Sequence, residues 1–400
     1  MFAKWLGAIS VGLVFSSFPI RIANRPPFAI QSVEPQTPHL IPRTREERER
    51  RYQNQQRLFL SVQVSALSGT PAVGLKQSDF AIVEDGSLQA IASFQSIQGH
   101  SEDDPTRVVL VLDTVNNSSG KVTHFRKEIE RYLKEGSDRL ANPTSIALLS
   151  DRGVQLGAPH QDRNLVLKEL DELAGNLHTL TCADTVPALT CSVRATRDGS
   201  SPPCDPNPRL ECLDHLFNSS VTAINSLADE LVNTMRKVTN PDRVILIWVG
   251  SGWPLLNERG YTPDTREAKE SFYRDLVTVS SALAEAHVTL DAVASSEPLP
   301  IGLAHIRESF FFKGVPDENH ATAASLALQA LAYQSGGMVL TSTKDIADQI
   351  SRCVADSQSY YLLSFDNPPA TRDGEYHALE VMVDKPGLTV RSRTVFYAER

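Results

Sequence analysis

The sequence predicts an α/β fold in which a doubly wound, mostly parallel sheet is inserted between two β segments that form a small β-sandwich. Continuous apolar runs alternate with helical periodicity across residues 105–356, a pattern typical of a parallel sheet covered on both faces. Apolar and polar residues alternate within 57–100 and 357–400, which predicts strands with one exposed face. Because each short segment would expose an apolar face if left alone, we expect the two to pair.

The N-terminal segment predicts export. Lys4 precedes an apolar run from Trp5 to Phe18, which is too short to cross a bilayer but suits the hydrophobic part of a signal peptide. We therefore interpret residues 1–23 as a signal peptide or a retained N-terminal anchor, and the Pro-, Gln- and Arg-rich residues 24–56 as a linker. Apart from that anchor, no membrane contact is expected.

The first β segment is predicted from residue alternation and turn residues. Leu58 to Val64 alternate along one strand, and Phe80 to Glu84 form a second strand that runs into Asp85-Gly86. This dipeptide is a strong hairpin signal. We expect Ala90–Ile97 to supply the returning strand.

The α/β region, 105–356, follows from apolar runs and from helical spacing. Its expected strands are Arg107–Leu112, Ser145–Leu149, Arg243–Val249, Val288–Val293 and Met338–Leu340, and its expected helices are Gly120–Leu140, Arg163–Ala174, Leu213–Lys237, Asp264–Ala286, Ala321–Gln334 and Lys344–Ala355. The last β segment is expected to contain strands Tyr360–Phe365, His377–Val383 and Leu388–Tyr397, separated by turns rich in Pro, Gly, Asn and Asp.

Four of the five cysteines lie in a Pro-rich insert, residues 175–212. Their spacing contains no closely paired zinc ligands, and in an oxidising compartment an even cluster of this kind predicts two disulfides. Three pairings remain open, as do free thiols and a metal-binding knuckle. The disulfide candidates are Cys182, Cys191, Cys204 and Cys212. We expect Cys353 to be a buried thiol.

Composition excludes one class of partner. The formal net charge is -9, and charged residues make up 22% of the chain. Because nucleic-acid binding requires concentrated Lys and Arg, this balance argues against it. The Gly-x-Ser-x-Gly, P-loop and His-Glu-x-x-His motifs are also missing from the sequence, so we expect no catalysis.

Polar residues follow two of the predicted parallel strands. Asp113 to Ser118 come after the first strand, and Gly250 to Pro254 come after the third. Ligands bind beyond the carboxyl ends of parallel strands, and a carboxylate among short polar side chains can coordinate a hard cation. Alternatively, Asp113 only accepts hydrogen bonds from the following backbone, as in an Asx turn.

Several phrases, in this order, resemble the von Willebrand factor A domain, and more narrowly the VWFA-related family of exported bacterial proteins of the acidobacterial type. They are Asp79 to Gly86, the strand that ends at Asp113, Gly336-Gly337 after a helix, and Tyr360 to Phe365. The resemblance covers roughly residues 57–398. It implies an adhesion-type protein-binding module with a metal-ion-dependent adhesion site.

The full adhesion site reads Asp-x-Ser-x-Ser, with a Thr and an Asp from later loops, and this chain departs from that pattern. Asp113 matches, but Val115 and Asn117 occupy the two Ser positions, no Thr lies near 158–162, and Ser251 occupies the last Asp position. Losing ligands weakens Mg²⁺ binding. We therefore expect no tightly bound cofactor, and at most a weakly held Mg²⁺ or other divalent cation. The candidate metal ligands are Asp113, Asn117 and Ser251.

The sequence thus predicts a non-catalytic, exported protein-binding module that acts in the periplasm, in the cell envelope or after secretion. The identity of its protein partner is open. The expected binding residues are Asp113, Asn116, Asn117, Ser118, Asp162, Ser251 and Trp253. Two alternatives remain: a hydrolase-like enzyme that uses Ser251 or a weak metal at Asp113, and a purely structural envelope component.

Overall fold

The computed structural model describes residues 57–99, 106–150, 153–174, 218–219, 221–231, 233, 243–252, 265–295, 313–367 and 370–398. The predicted export signal, the linker, the Cys-bearing insert with its four cysteines, and Trp253 lie outside these ranges. The domain boundaries given above therefore stay predictions.

The strands are β1 (Arg57–Ala66), β2 (Phe80–Glu84), β3 (Ser87–Gln89), β4 (Ser93–Gln98), β5 (Arg107–Asp113), β6 (Arg139–Ser150), β7 (Gly153–Leu156), β8 (His160–Asp162), β9 (Val244–Val249), β10 (Val288–Val293), β11 (Val339–Leu340), β12 (Ser359–Asp366), β13 (Glu375–Val383), β14 (Leu388–Arg391) and β15 (Val395–Ala398). The α-helices are α1 (Ser119–Lys134), α2 (Arg163–Ala174), α3 (Arg266–Glu285), α4 (Leu328–Ser335) and α5 (Ile346–Asp356). A further helical segment covers 221–231. No helix within the described ranges is long and apolar enough to span a membrane.

A mostly parallel sheet forms the centre of the fold, in the order β11-β10-β9-β5-β6-β7, with β8 also paired to β6. Every residue of β9 and β10 is buried, as expected for strands covered on both faces. Helices α1, α2 and α5 pack against one face, and α3, α4 and the segment 221–231 pack against the other. The predicted α/β class with a mostly parallel sheet is confirmed.

Two antiparallel sheets, β14-β1-β12-β4 and β15-β13-β2-β3, each combine strands that precede and follow the parallel sheet. They pack face to face through one apolar cluster. Within it the ring centroids of Phe80 and Tyr361, one from each sheet, lie 5.0 Å apart. Burial of these apolar faces explains why each β segment needs the other.

Several predicted elements are wrong in their bounds. The strand that returns from the Asp85-Gly86 turn is β3, whereas β4 crosses to pair with β12. Helix α1 ends at Lys134 instead of continuing to residue 140, because Gly136 adopts a φ of 94°, outside the helical region. The single strand expected over 388–397 is divided between the two antiparallel sheets as β14 and β15. The helix expected over 321–334 is a 3-10 turn, Ala323–Leu326, followed by α4.

Candidate functional site

The neighbouring strands β5 and β9 bring two polar segments to one edge of the parallel sheet. Leu112 pairs in register with Val249, so Asp113 and Gly250 are the next residues along adjacent strands. Because the strands are parallel, both segments leave the sheet at its carboxyl edge. The sequence predicted this meeting of Asp113 with Ser251.

Asp113 is fully buried and accepts four hydrogen bonds. Its Oδ1 accepts from the backbone N–H groups of Val115 at 2.9 Å and Asn116 at 3.0 Å. Its Oδ2 accepts from Asn116 Nδ2 at 3.0 Å and from the indole Nε1 of Trp248 at 3.2 Å. A carboxylate has about four lone-pair sites, so these donors satisfy both of its oxygens.

Asn117 connects the two polar segments. Its Nδ2 donates to the backbone carbonyl of Asp113 at 3.0 Å, and its Oδ1 accepts from the backbone N–H of Ser251 at 3.1 Å. The side-chain oxygen of Ser251 accepts from the ammonium of Lys121, in the first turn of α1, at 3.0 Å. An ammonium group therefore lies within hydrogen-bond distance of this candidate metal ligand.

The close approach of these segments requires glycine at position 250. A Cβ added to Gly250 would lie 2.9 Å from Asn117 Nδ2 and 3.2 Å from the Cβ of Asp113. Contacts this short force neighbouring atoms to move. Gly250 thus allows the hydrogen bonds between the β5 and β9 loops to form.

Electrostatics at Asp113 reflect two opposed effects. Burial raises the pKa of the Asp113 carboxyl, whereas the hydrogen bonds from Asn116, Trp248 and Val115 act to lower it. Burial has the larger effect, so the shift is upward. The donors are those expected of a carboxylate that orders the loop around it.

The residues at this edge do not fit a magnesium ion. Both oxygens of Asp113 already accept hydrogen bonds, and Asn117 Oδ1 accepts from Ser251. Val115 is a fully buried hydrocarbon side chain and offers no oxygen. Mg²⁺ requires near-ideal octahedral oxygen coordination, and Lys121 adds a positive charge that repels a cation.

The structure brings together five of the predicted binding residues and separates a sixth. The five at this edge are Asp113, Asn116, Asn117, Ser118 and Ser251. Asp162 does not join them, because β8 runs antiparallel to β6 and places Asp162 beside Arg139. Asp113 pairs with Leu149, ten residues further along β6, and ten strand residues span about 33 Å. Asp162 instead accepts from the backbone N–H of Asn164 at the start of α2.

Sequence reasoning missed two residues of this site. Lys121 contacts Ser251 across 130 positions of sequence, and Trp248 contacts Asp113 across 135. The sequence predicted the strand that contains Trp248 but gave no signal that its indole N–H would find a carboxylate. Lys121 resembles any other lysine in the first turn of a surface helix.

A second polar cluster lies in the antiparallel sheets and was not predicted. The imidazole Nδ1 of His377 lies 3.1 Å from Glu84 Oε1 and 3.0 Å from Asp85 Oδ2. Glu84 is 4% exposed, and Asp85 is exposed. Burial raises the pKa of Glu84, which nearby His377 lowers and Asp85 raises. The sequence indicated only the Asp85-Gly86 turn.

No protein-family model matches the chain, and no curated protein matches it in sequence. Among solved structures, human COPII-coat protein Sec24c is similar at 7% identity over 74% of this chain and 44% of that one, with a TM-score of 0.29. Proximal thread matrix protein 1 from the mussel byssus is 10% identical over 66% of this chain and 49% of its own, with a TM-score of 0.31. The manganese-loaded Plasmodium vivax TRAP protein is 10% identical over 78% and 97%, with a TM-score of 0.32. The chain spans about half the length of the first two structures, and these scores are too low to establish a shared fold.

Proposed function

We propose that this chain is an exported, non-catalytic protein-binding module of the von Willebrand factor A-like type, with a degenerate metal-ion-dependent adhesion site. The mostly parallel sheet, covered by helices on both faces, supports this proposal. So do Asp113, which ends β5, and Ser251, which follows β9, at the carboxyl edge of the sheet. Its partner binds at this edge without a bridging metal.

The hydrogen bond from Lys121 to Ser251 carries the proposal. Lys121 is exposed, and no carboxylate in the described part of the chain forms a salt bridge with it. An exposed ammonium beside half-buried Ser251 attracts a negatively charged group. The partner therefore presents an acidic side chain to this edge.

Site-specific photo-crosslinking tests the proposal. A photoreactive label at Ser119→Cys, exposed beside Lys121, is compared with the same label at Ser137→Cys, exposed before the start of β6. We expect the label at 119 to capture an envelope protein that the label at 137 does not. Lys121→Glu should reduce that capture at least tenfold, and a chelator should leave it unchanged.

The opposite results overturn the proposal. Capture that survives Lys121→Glu would remove the role of the ammonium, and capture abolished by a chelator would restore a metal-dependent site. If substituting both Asp113 and Ser251 leaves capture unchanged, the sheet edge is not the binding surface. A purely structural role in the envelope would then account better for the fold.

One observation favours a second candidate function, a hydrolase. Lys121 Nζ lies 3.0 Å from Ser251 Oγ, and serine–lysine pairs act as nucleophile and base in some hydrolases. A lysine that acts in this way is normally desolvated, whereas Lys121 is exposed. Turnover of an activated ester that Ser251→Ala abolishes would favour the hydrolase, and the binding module predicts none.

A further inference from the structure

The second polar cluster combines residues from the β segments before and after the parallel sheet. Glu84 ends β2, Asp85 begins the β2–β3 turn, and His377 lies on β13, which pairs with β2. The backbone N–H of Ala378 donates to Asp85 Oδ1 at 2.8 Å and fixes this carboxylate beside the imidazole. Asp85 and His377 are 292 positions apart in sequence. The pairing of the two sheet segments therefore creates the cluster.

The donor atoms of the cluster have the spacing of metal ligands. His377 Nδ1 is 3.1 Å from Glu84 Oε1 and 3.0 Å from Asp85 Oδ2, and the three atoms lie within 4.8 Å of one another. Zinc binds imidazole nitrogen and carboxylate oxygen at about 2.0–2.2 Å, which places tetrahedral donors about 3.3 Å apart. His377 Nδ1 and Asp85 Oδ2 are hydrogen-bonded to each other at this distance. A bound ion would replace that hydrogen bond and, after small side-chain movements, contact all three donors.

One oxygen of Glu84 has an ion-pair contact, with His377 Nδ1 at 3.1 Å, but no hydrogen bond. Glu84 Oε1 is buried and accepts no hydrogen bond within the described structure, although its side chain is only 4% exposed. A buried carboxylate oxygen without a hydrogen bond is costly. It faces the His377 nitrogen, and the imidazole is held by stacking on Phe396 with the centroids 4.7 Å apart. A cation between these groups would satisfy the oxygen.

We propose that Glu84, Asp85 and His377 bind a divalent first-row transition metal, with Zn²⁺ as the preferred ion. One imidazole and two carboxylates favour such an ion over Mg²⁺ or Ca²⁺, which take oxygen ligands alone. Exposed Asp85 leaves a coordination position open to water. The bound ion cross-links β2 to β13, and so ties the sheet segments before and after the parallel sheet.

Calorimetric titration of the full chain with Zn²⁺, after dialysis against a chelator, tests this site. We expect one equivalent of Zn²⁺ to bind with an affinity that His377→Gln, Glu84→Gln and Asp85→Asn each lower at least tenfold. His320→Gln is the matched control, because exposed His320 pairs at 2.9 Å with a single carboxylate, Asp317. Zn²⁺ bound elsewhere on the chain, for example by the clustered cysteines, would persist in His377→Gln.

Thermal unfolding gives a second measurement. Saturating Zn²⁺ should raise the Tm of the wild-type chain by roughly 5 °C and leave that of His377→Gln unchanged, since an ion bound only by the folded state stabilises it. Equal Zn²⁺ binding by wild-type and His377→Gln proteins would overturn the proposal, as would no binding by the wild type. Each variant is compared in chelator by circular dichroism, and one that fails to fold is replaced by either of the other two.

Discussion

Two buried carboxylates in different parts of the fold have opposite surroundings. Asp113, at the carboxyl edge of the parallel sheet, accepts four hydrogen bonds. Glu84, at the end of β2 in an antiparallel sheet, has an oxygen that accepts none within the described residues. The first is surrounded by donors from its own loop and from β9, and the second faces a histidine and another carboxylate.

This difference separates a carboxylate that organises structure from one that is suited to a ligand. Asp113 occupies the position where the family resemblance predicts a metal, yet its hydrogen bonds are those of an Asx-type loop. No sequence motif marks Glu84 as a metal ligand, yet its surroundings favour a cation more than those of Asp113 do. Position in a motif alone is thus a weaker guide than the number of donors that a carboxylate meets.

Removing the Asp113 carboxylate should have the largest effect on stability. Asp113→Ala deletes the acceptor of four buried or half-buried hydrogen bonds, and we expect a loss of roughly 3–5 kcal/mol in the free energy of unfolding. Urea denaturation measures it. The control is Asp162→Ala, where exposed Asp162 accepts one bond at the start of α2, with a loss of at most about 1 kcal/mol. Equal losses in the two variants would mean that Asp113 is not an organiser.

A third buried carboxylate, Asp291 in β10, should make stability depend on pH. Burial raises its pKa from 3.8 to about 6, against the effect of a hydrogen bond from Met338. Because the folded-state pKa is higher than the unfolded one, the folded state binds the proton more tightly between these two values. The free energy of unfolding should therefore fall as pH rises from about 4 to 7, by up to about 3 kcal/mol from this group.

Asp291→Asn isolates that contribution. Asp275, whose pKa burial also raises to about 6, remains in the variant, so the difference between the two pH profiles reports the loss of the Asp291 carboxyl. Denaturation at several pH values should show a flatter profile for Asp291→Asn. Parallel profiles would show that Asp291 titrates as it does in the unfolded chain.

A side chain at position 250 should lower the free energy of unfolding by less than the loss of the Asp113 carboxylate does. In Gly250→Ala the new Cβ would meet Asn117 Nδ2 at 2.9 Å, and we expect a loss of about 1–3 kcal/mol. Gly120→Ala is the control, because a Cβ there has no neighbour within 4 Å and the residue lies in α1; it should gain up to about 1 kcal/mol. Denaturation that shows no loss in Gly250→Ala would mean that the two loops are not held together tightly.

The sequence predicted the bounds of those elements whose apolar residues are regularly spaced and are also the residues that pack in the core. Helix α2 and strand β10 have the predicted bounds because their apolar spacing is regular. Strand β6 begins earlier than predicted, since Asn142-Pro143 suggests a break. The break is accommodated where the register of β6 with β8 shifts, between Arg139 and Thr144. Strand β8 has three polar residues and no apolar pattern to detect.

The candidate sites were predictable only where backbone topology decides the contact. Parallel strands bring Asp113 and Ser251 to one edge, and the sequence contains both strands. The contacts of Lys121 and Trp248 depend on how far their side chains reach, and the contact of His377 with Glu84 depends on the register between β13 and β2. Neither kind of information is present in a local pattern.

The most direct comparison of the two carboxylates replaces each with its amide. The smallest expected change in stability is the one at Glu84. Asp113→Asn replaces Oδ2, which accepts from Asn116 and Trp248, with an NH₂ group that cannot accept, and should cost about 1–3 kcal/mol. In chelator, Glu84→Gln should change the free energy of unfolding by less than about 1 kcal/mol. Its lost attraction to His377 is offset by relief of burial and of repulsion from Asp85. Urea denaturation of both variants in chelator measures the two changes in the free energy of unfolding. A loss in Glu84→Gln as large as that in Asp113→Asn would contradict the metal site. It would show that the protein itself already stabilises the Glu84 carboxylate.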